Sequence, residues 1–249
     1  MTSEKPSLPA TIKALRSLVA GQEPGAALAS EADLAETLGS SRALVNKAVA
    51  HLMAEGVLIR RGKKAVVQPI PVILRQVPTR YTTRFREAHG ARGAFDAEIK
   101  QHGLQPRWTT VPGEQEAPAS VAKLLDVEPG STVVTRSREM FADDVPVQIA
   151  VTYLPQDVAS SAGASQTDTG TGGIISRLSE SNSQQKSVTE TIRTRTPDEH
   201  EQEVLRLPSD SRVYELTHVA RTAQGRTVEV TVHVMPVHLW DLSYSWDLD

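Results

Sequence analysis

The stretch from residue 30 to 67 constrains the fold of this chain most, because it predicts two short helices followed by a hairpin. Apolar residues recur at helical spacing after Ser30 and again after Ser41, and serine is a favoured N-cap residue. Ser30 and Asp33 also have the spacing of a capping box. Gly39 and Gly56 follow the two apolar stripes, where a left-handed residue would end each helix. The stretch therefore predicts a helix–turn–helix.

A basic hairpin follows the second helix. Strands are predicted over 57–59 and 65–67, with a turn at Gly62 and four cationic side chains around it. A helix fits the major groove of DNA, and flanking cations meet the phosphates. The pattern is therefore typical of a DNA-binding domain, and a further helix predicted over 8–20 would pack behind it.

Residues 8–67 resemble the winged helix–turn–helix of GntR-family bacterial repressors. Three positions depart from the family's pattern, since Ala32, Leu44 and Asn46 stand where arginine, threonine and arginine are usual. These positions touch DNA in the family, so the resemblance leaves the operator sequence open. The residues that carry the resemblance are Pro24-Gly25, Leu28, Ser30-Glu31, Leu34-Ala35, Ser41-Arg42, Val45, Ala48, Leu52 and Glu55-Gly56-Val57-Leu58.

The resemblance and the charge pattern predict which residues contact DNA. Arg42 would approach base edges or phosphates, and Asn46 could pair its amide with adenine. Lys63 and Lys64 at the hairpin tip would contact phosphates without reading sequence. The alternative for Arg42 and Lys47 is an ordinary solvent-exposed helix face. The alternative for Lys63 and Lys64 is an ordinary solvent-exposed turn. The predicted DNA-binding residues are Ser30, Ser41, Arg42, Ala43, Leu44, Asn46, Lys47, Arg60, Arg61, Lys63 and Lys64.

The charge distribution separates the N-terminal part from the rest. Residues 1–68 hold nine Lys and Arg against six Asp and Glu, a net +3, whereas the remaining 18 and 24 give −6. A basic head on an acidic body fits one DNA-binding domain attached to a second domain. The chain has no cysteine, which excludes disulfides and thiolate sites. We find no signal peptide or membrane span and expect a cytoplasmic protein.

The remainder predicts an α+β domain over 79–249, after a proline-rich linker or edge strand at 68–78. Domain one is 1–67. The sequence favours a strand or extended run at 94–100, a mobile loop at 159–173 and a final strand at 238–246 with its aromatic side chains inward. The other predicted elements are helices at 119–125, 174–181 and 197–205, and strands at 132–141, 145–154 and 187–196.

An internal repeat organises this second domain. Leu125, Val127, Ser131 and Val133 recur 80 residues later as Leu205, Leu207, Ser211 and Val213, and Pro155 corresponds to Pro236 after one insertion. Each copy reads as helix, turn, strand, hairpin, strand and proline. We expect the copies to form pseudo-symmetric halves of one sheet with a cleft between them.

Residues 79–246 resemble the UTRA domain, the effector-binding half of the HutC subfamily of GntR regulators. The resemblance implies a chorismate-lyase-like antiparallel sheet with peripheral helices and a small-molecule pocket in the cleft. It is carried by Arg80-Tyr81, by Phe95, Glu98 and Ile99, by Arg136 and Arg138, by Pro146 with Tyr153-Leu154-Pro155, and by Gly225-Arg226 with Val228-Glu229.

Five residues are predicted to bind an effector. Arg136 and Arg138 project from one face of a strand and repel each other unless an anion or acids lie between them. An exterior pair neutralised by neighbouring acids is the alternative. Glu229 is a candidate partner for an amine or hydroxyl, and Gly172 and Gly173 could cradle an anion at a helix start. The resemblance places arginines like this pair at the acid group of the effector.

The function predicted is a transcriptional regulator, a repressor released from its operator by a small, possibly anionic effector. A symmetric homodimer on palindromic double-stranded DNA is expected, because one recognition helix reads too few base pairs. The alternatives are a constitutive DNA-binding repressor with a purely dimerising second domain, or an enzyme of lyase-like fold. No catalytic residue, metal site, cofactor or membrane contact is predicted.

Overall fold

The structure is a computed structural model that describes residues 6–248. Its contacts divide the described chain into two compact units. One comprises residues 6–71 with Thr196–Arg212, and the other comprises Val72–Arg195 with residues 213–248. The predicted domain limits of 1–67 and 79–249 stay predictions, and the fold class, α+β with an antiparallel sheet domain, is as predicted.

The N-terminal unit contains the predicted winged helix–turn–helix. Leu15, Val45 and Leu52 are fully buried where three helices meet, because the apolar stripes read in the sequence all face inward. The two strands pair antiparallel. The elements are α1 (Leu8–Ala20), α2 (Glu31–Thr37), α3 (Arg42–Ala54), β1 (Leu58–Arg61) and β2 (Lys64–Val67).

The capping box predicted at Ser30 is incomplete. The Ser30 hydroxyl accepts a hydrogen bond from the backbone N–H of Asp33 at 3.2 Å. The Asp33 carboxylate accepts from that same hydroxyl at 2.7 Å instead of from the Ser30 backbone. Helix α2 therefore has a serine cap, but only one of the two reciprocal bonds that define the box.

The segment after the head contains a strand, which selects the edge-strand alternative for 68–78. Strand β3 (Ile73–Val77) pairs in parallel with a C-terminal strand, Trp240–Tyr244. The prediction that the C-terminal aromatic side chains all face inward is wrong. Trp240 is 1% exposed, but Trp246 lies beyond the paired residues and is 76% exposed, because no second strand covers it there.

A six-stranded antiparallel sheet forms the body of the second unit. Its strands are β4 (Pro106–Glu116), β5 (Thr132–Ala142), β6 (Val145–Pro155), β7 (Ser187–Arg195), β8 (Val213–Arg221) and β9 (Thr227–Pro236), and β10 (Trp240–Tyr244) lies outside this sheet. The strands lie in the order β4-β5-β6-β9-β8-β7. The two halves, β4-β5-β6 and β7-β8-β9, have the same sequence of elements and meet at the β6–β9 pair. The helices are α4 (Thr83–Arg86), α5 (Ala94–Gln101), α6 (Ala119–Leu125), α7 (Gln156–Ser161), α8 (Gly173–Glu180) and α9 (Glu199–Leu205).

The register supports the predicted repeat. Val133 pairs with Pro155 in one half, and Val213 pairs with Pro236 in the other. At the centre, Val151 faces Val232, and these two valines are equivalent positions of the two copies. A pseudo-two-fold axis therefore passes through this pair of valines.

Three predictions for the second unit need correction. Residues 94–100 form helix α5 and no strand, because Phe95 and Ile99 bury one helical face. Residues 106–116, for which no element was predicted, form strand β4; Pro112 is tolerated there because β4 is an edge strand.

The third correction concerns 159–173, predicted as a mobile loop. Helix α7 extends into it as far as Ser161, and the small side chains Ala159, Ala162 and Ala164 are buried against the sheet. The high serine and glycine content predicted a mobile loop, but the alanines of this segment are buried and fix it against the sheet.

Candidate functional site

The predicted DNA-binding residues lie on one winged helix–turn–helix, and all except the half-buried Leu44 are exposed. Ser30 and Ser41 cap α2 and α3, and the Ser41 hydroxyl accepts from the Leu44 N–H at 3.3 Å. Their hydroxyls therefore serve the helices first.

A carboxylate of α2 holds the start of the recognition helix α3. Glu31 accepts a hydrogen bond from the Asn46 amide at 2.9 Å, and its other oxygen lies 3.7 Å from Arg42 Nε. The Arg42 side chain is nevertheless 74% exposed. Any ligand of Arg42 or Asn46 would therefore compete with Glu31 for both groups, and the sequence did not indicate this contact.

The hairpin presents its cations as predicted. Lys64 pairs across the strands with Arg61, and Lys63 sits at the tip beside Gly62. Arg60, which directly precedes Arg61 on β1, borders a groove within the N-terminal unit. The tip therefore offers a small cluster of positive charge that suits phosphates.

A cavity of about 110 Å³ opens in the second unit, on one face of the sheet. A water molecule needs roughly 10–15 Å³ on this scale, so the cavity can hold a small metabolite. The five predicted effector residues, Arg136, Arg138, Gly172, Gly173 and Glu229, all line it.

Hydrogen-bond donors of Arg136, Gly172 and Gly173, which were predicted to bind the effector, already bond to backbone carbonyls of the protein. Arg136 donates to the carbonyls of Ala164 at 2.5 Å and Thr167 at 3.1 Å, and also to Gln166. The N–H groups of Gly172 and Gly173 donate to backbone carbonyls at 2.9 and 3.1 Å. The glycines are needed for close packing, since a Cβ on Gly172 would lie 2.0 Å from the Ser176 hydroxyl.

Of the predicted arginine pair, Arg138 is the member that keeps an unpartnered donor for a ligand. Its Nη2 donates to Thr152 at 2.5 Å, and its buried Nε has no hydrogen-bond partner among residues 6–248. Burial lowers the pKa of Arg138 to about 10, against the opposing attraction of Glu229. The arginine pair is therefore not the exterior pair of the alternative interpretation.

Glu229 and its neighbours on β9 form the polar wall opposite Arg138. The Glu229 carboxylate accepts from Gln185 at 2.6 Å and from Thr231 at 2.7 Å. His233 is buried and lines the same wall. Burial keeps its pKa well below the ordinary histidine value, with nearby Arg80 and Arg138 adding to the effect.

Sequence reasoning missed several lining residues, including Tyr81, Trp108, Gln148 and His218. The signal for His233 was present, because Glu229, Thr231 and His233 alternate along one strand and so share a face. Trp108 could not be found in this way, since its strand was not predicted.

The described residues contain no group of three or more His, Cys, Asp or Glu placed to hold a metal ion. Among the same residues, no helix has both the length and the apolar character needed to cross a membrane.

Comparison with known proteins places this geometry in a family. The UTRA domain model matches residues 102–238. The uncharacterized HTH-type regulator YurK of Bacillus subtilis is 29% identical over 136 residues, which are 54% of this chain and 51%, about half, of that relative. An uncharacterized HTH-type transcriptional regulator of Streptomyces coelicolor is 29% identical over 232 residues, covering 89% of this chain and 86% of the relative.

Solved structures show the same fold. The crystal structure of PhnF from Mycobacterium smegmatis superposes with a TM-score of 0.61 at 20% identity, covering 96% of this chain and 100% of that one. Its separate effector domain gives a TM-score of 0.53 at 17% identity, covering 64% of this chain and 96% of that one. At these identities the likeness concerns the fold alone.

Proposed function

The chain belongs to the UTRA domain family, and from that premise we propose that it is a DNA-binding transcriptional regulator of the HutC type whose second unit binds a small effector. The observation that carries the proposal is the cavity lined by Arg138, Glu229 and His233, in a chain that also has a winged helix–turn–helix. A homodimer on a palindromic operator follows from the single recognition helix of each chain.

The cavity favours an effector with one anionic group. Arg138 is half-buried, and its buried Nε has no hydrogen-bond partner among residues 6–248, so an anion would supply a charge-assisted hydrogen bond that this nitrogen lacks. Glu229 and His233 on the other side suit a hydroxyl or amine of the same molecule. Effector binding would release the operator, which makes the regulator a repressor.

We expect Arg138→Met to weaken effector binding about 10- to 100-fold, because a hydrogen bond to a charged group contributes about 1.5–3 kcal/mol. A screen of phosphorylated and carboxylated metabolites by thermal shift and DNA release identifies the effector, and titration calorimetry measures both proteins. Arg107→Met is the matched control, since Arg107 lies on the neighbouring strand and stacks on Phe141 away from the cavity. An effector that binds wild type and Arg138→Met equally would contradict the proposed site.

Substitutions in the winged helix–turn–helix should distinguish base-specific contacts from non-specific electrostatic attraction to DNA. Arg42→Ala should cost about 1–3 kcal/mol at particular base pairs, whereas Lys63→Ala should weaken all sequences alike and lower the salt slope by about one. Operators selected from random DNA, followed by anisotropy titrations at several salt concentrations, measure both effects. Lys123→Ala in helix α6 is the control. A change in base preference on Lys63→Ala would contradict the role of the hairpin.

The constitutive repressor and the enzyme remain as outcomes of these experiments. A protein that binds operator DNA but is released by none of the metabolites supports the constitutive regulator. Conversion of a screened metabolite by a protein without specific DNA binding supports the enzyme.

A further inference from the structure

A row of polar side chains crosses the sheet on the face that carries the cavity. Arg136, Thr152, Thr231, His218 and Glu190 occupy paired positions on β5, β6, β9, β8 and β7. The hydroxyls of Thr152 and Thr231 are 2.7 Å apart, so a hydrogen bond joins the two central strands β6 and β9 within this row. The row therefore leads from the effector cavity to the edge strand β7.

Glu190 ends this row as a buried carboxylate with partners from four elements. It accepts hydrogen bonds from Arg75 of β3, from Tyr81, and from Tyr244 of β10 at 2.7 Å. His218 lies 3.7 Å away. Burial alone would raise the pKa of Glu190, but the hydrogen bonds outweigh it and bring the pKa to about 2. The carboxylate is therefore ionised at neutral pH.

The partners of Glu190 face in two directions. Tyr81 and His218 line the effector cavity, and the Tyr81 hydroxyl lies 3.0 Å from His218 Nδ1. Arg75 and Tyr244 belong to the parallel β3–β10 pair, and β3 begins two residues after Pro71, the last residue of the N-terminal unit before the second. The Tyr81 hydroxyl also accepts a hydrogen bond from Arg75 at 3.0 Å, so Glu190, Tyr81 and Arg75 form one cluster between the cavity wall and the strand that follows the DNA-binding head.

Arg75 shows that this cluster has spare hydrogen-bonding capacity. It is 1% exposed, and its Nε and Nη1 have no partner within the described part of the chain. A buried guanidinium with unused donors can satisfy them in another arrangement, because leaving them unpaired costs free energy. Arg75 therefore has two donors available for a different arrangement of its contact with Glu190.

Resting on the proposed function, we propose that Glu190 is the positioning residue that couples the cavity to the head. A ligand that displaces Tyr81 or His218 changes the hydrogen bonds of Glu190, and Arg75 transmits the change to β3. The ligand acts only through its different affinity for the two arrangements of this cluster.

The test is hydrogen–deuterium exchange on the full chain, read in the peptides that contain 73–77 and 164–172. Without any small molecule, Tyr81→Phe should speed exchange at 73–77 at least tenfold, since it removes the hydroxyl that bonds both Glu190 and Arg75 of β3. Tyr153→Phe is the matched control, because Tyr153 packs with the α6 cluster on the other face. Unchanged exchange at 73–77 in Tyr81→Phe overturns the proposal.

A second arm uses inorganic phosphate as the probe, at a concentration that saturates the thermal shift. Glu215→Gln is the control, because Glu215 lies on β8 and pairs with Arg193 and Arg195 of β7. In wild type and in this control, phosphate should change exchange at both peptides. In Glu190→Gln the change at 164–172 should persist, and that at 73–77 should fall at least fivefold. An equal response of 73–77 in wild type and Glu190→Gln overturns the coupling. Neither experiment contains DNA. Failure of DNA binding, which would overturn the proposed function, is measured in the separate anisotropy titrations.

Discussion

Replacing Glu98 by alanine is expected to lower the free energy of unfolding by about 3–5 kcal/mol, the usual cost of leaving one member of a buried ion pair alone. Glu98 accepts from Arg80 Nε at 2.7 Å and from Nη2 at 3.1 Å, and both side chains are buried. Burial opposes the charge of Arg80, but Glu98 more than compensates and raises the pKa of the guanidinium. Urea unfolding followed by circular dichroism measures the loss.

Two further variants make this prediction specific to burial. The double variant Arg80→Met/Glu98→Met should recover most of the stability, because it leaves no unpaired charge. Asp157→Ala breaks the exposed pair with Arg226 and should cost less than about 1 kcal/mol. A double variant as unstable as Glu98→Ala would contradict the interpretation.

The second large effect is expected at Trp240, where alanine should cost about 3–5 kcal/mol. The indole is 1% exposed, and its N–H donates to the Val147 carbonyl at 2.8 Å, so the substitution leaves a cavity and a buried carbonyl without its donor. Trp246→Ala, at a 76% exposed position, should stay within about 0.5 kcal/mol of wild type. Thermal and urea unfolding compare the two. Equal losses would contradict the packing described for β10.

The elements predicted correctly from sequence are those with strong periodicity or turn chemistry. The head was predictable because its apolar stripes, serine caps and glycines agree with one another. The repeat indicated the pairing of β5 with β6 and of β8 with β9. Helix α5 was misassigned because the four-residue spacing of Phe95 and Ile99 is compatible with one face of a helix and with one face of a strand. In so short a segment only the tertiary packing distinguishes the two.

The candidate site was predictable only in part. The places of Arg136, Arg138 and Glu229 on the cavity wall were predictable, because the two arginines share one face of a strand in an acidic domain and the UTRA resemblance includes all three residues. Their roles were not, since Arg136 is consumed by the carbonyls at 164–167, which approach it only after the chain has folded. Arg75 and Glu190 are 115 positions apart in sequence, and no local pattern joins them.

The pseudo-two-fold axis through Val151 and Val232 has a consequence for how a ligand is oriented. Equivalent positions of the two copies both face the cavity, so a scaffold with identical halves would accept a molecule in either of two opposite poses. The copies have diverged at these positions: Arg138 corresponds to His218, and Gln148 corresponds to Glu229. A molecule with distinct ends therefore meets a guanidinium on one side and a carboxylate on the other, and only one of the two poses satisfies both.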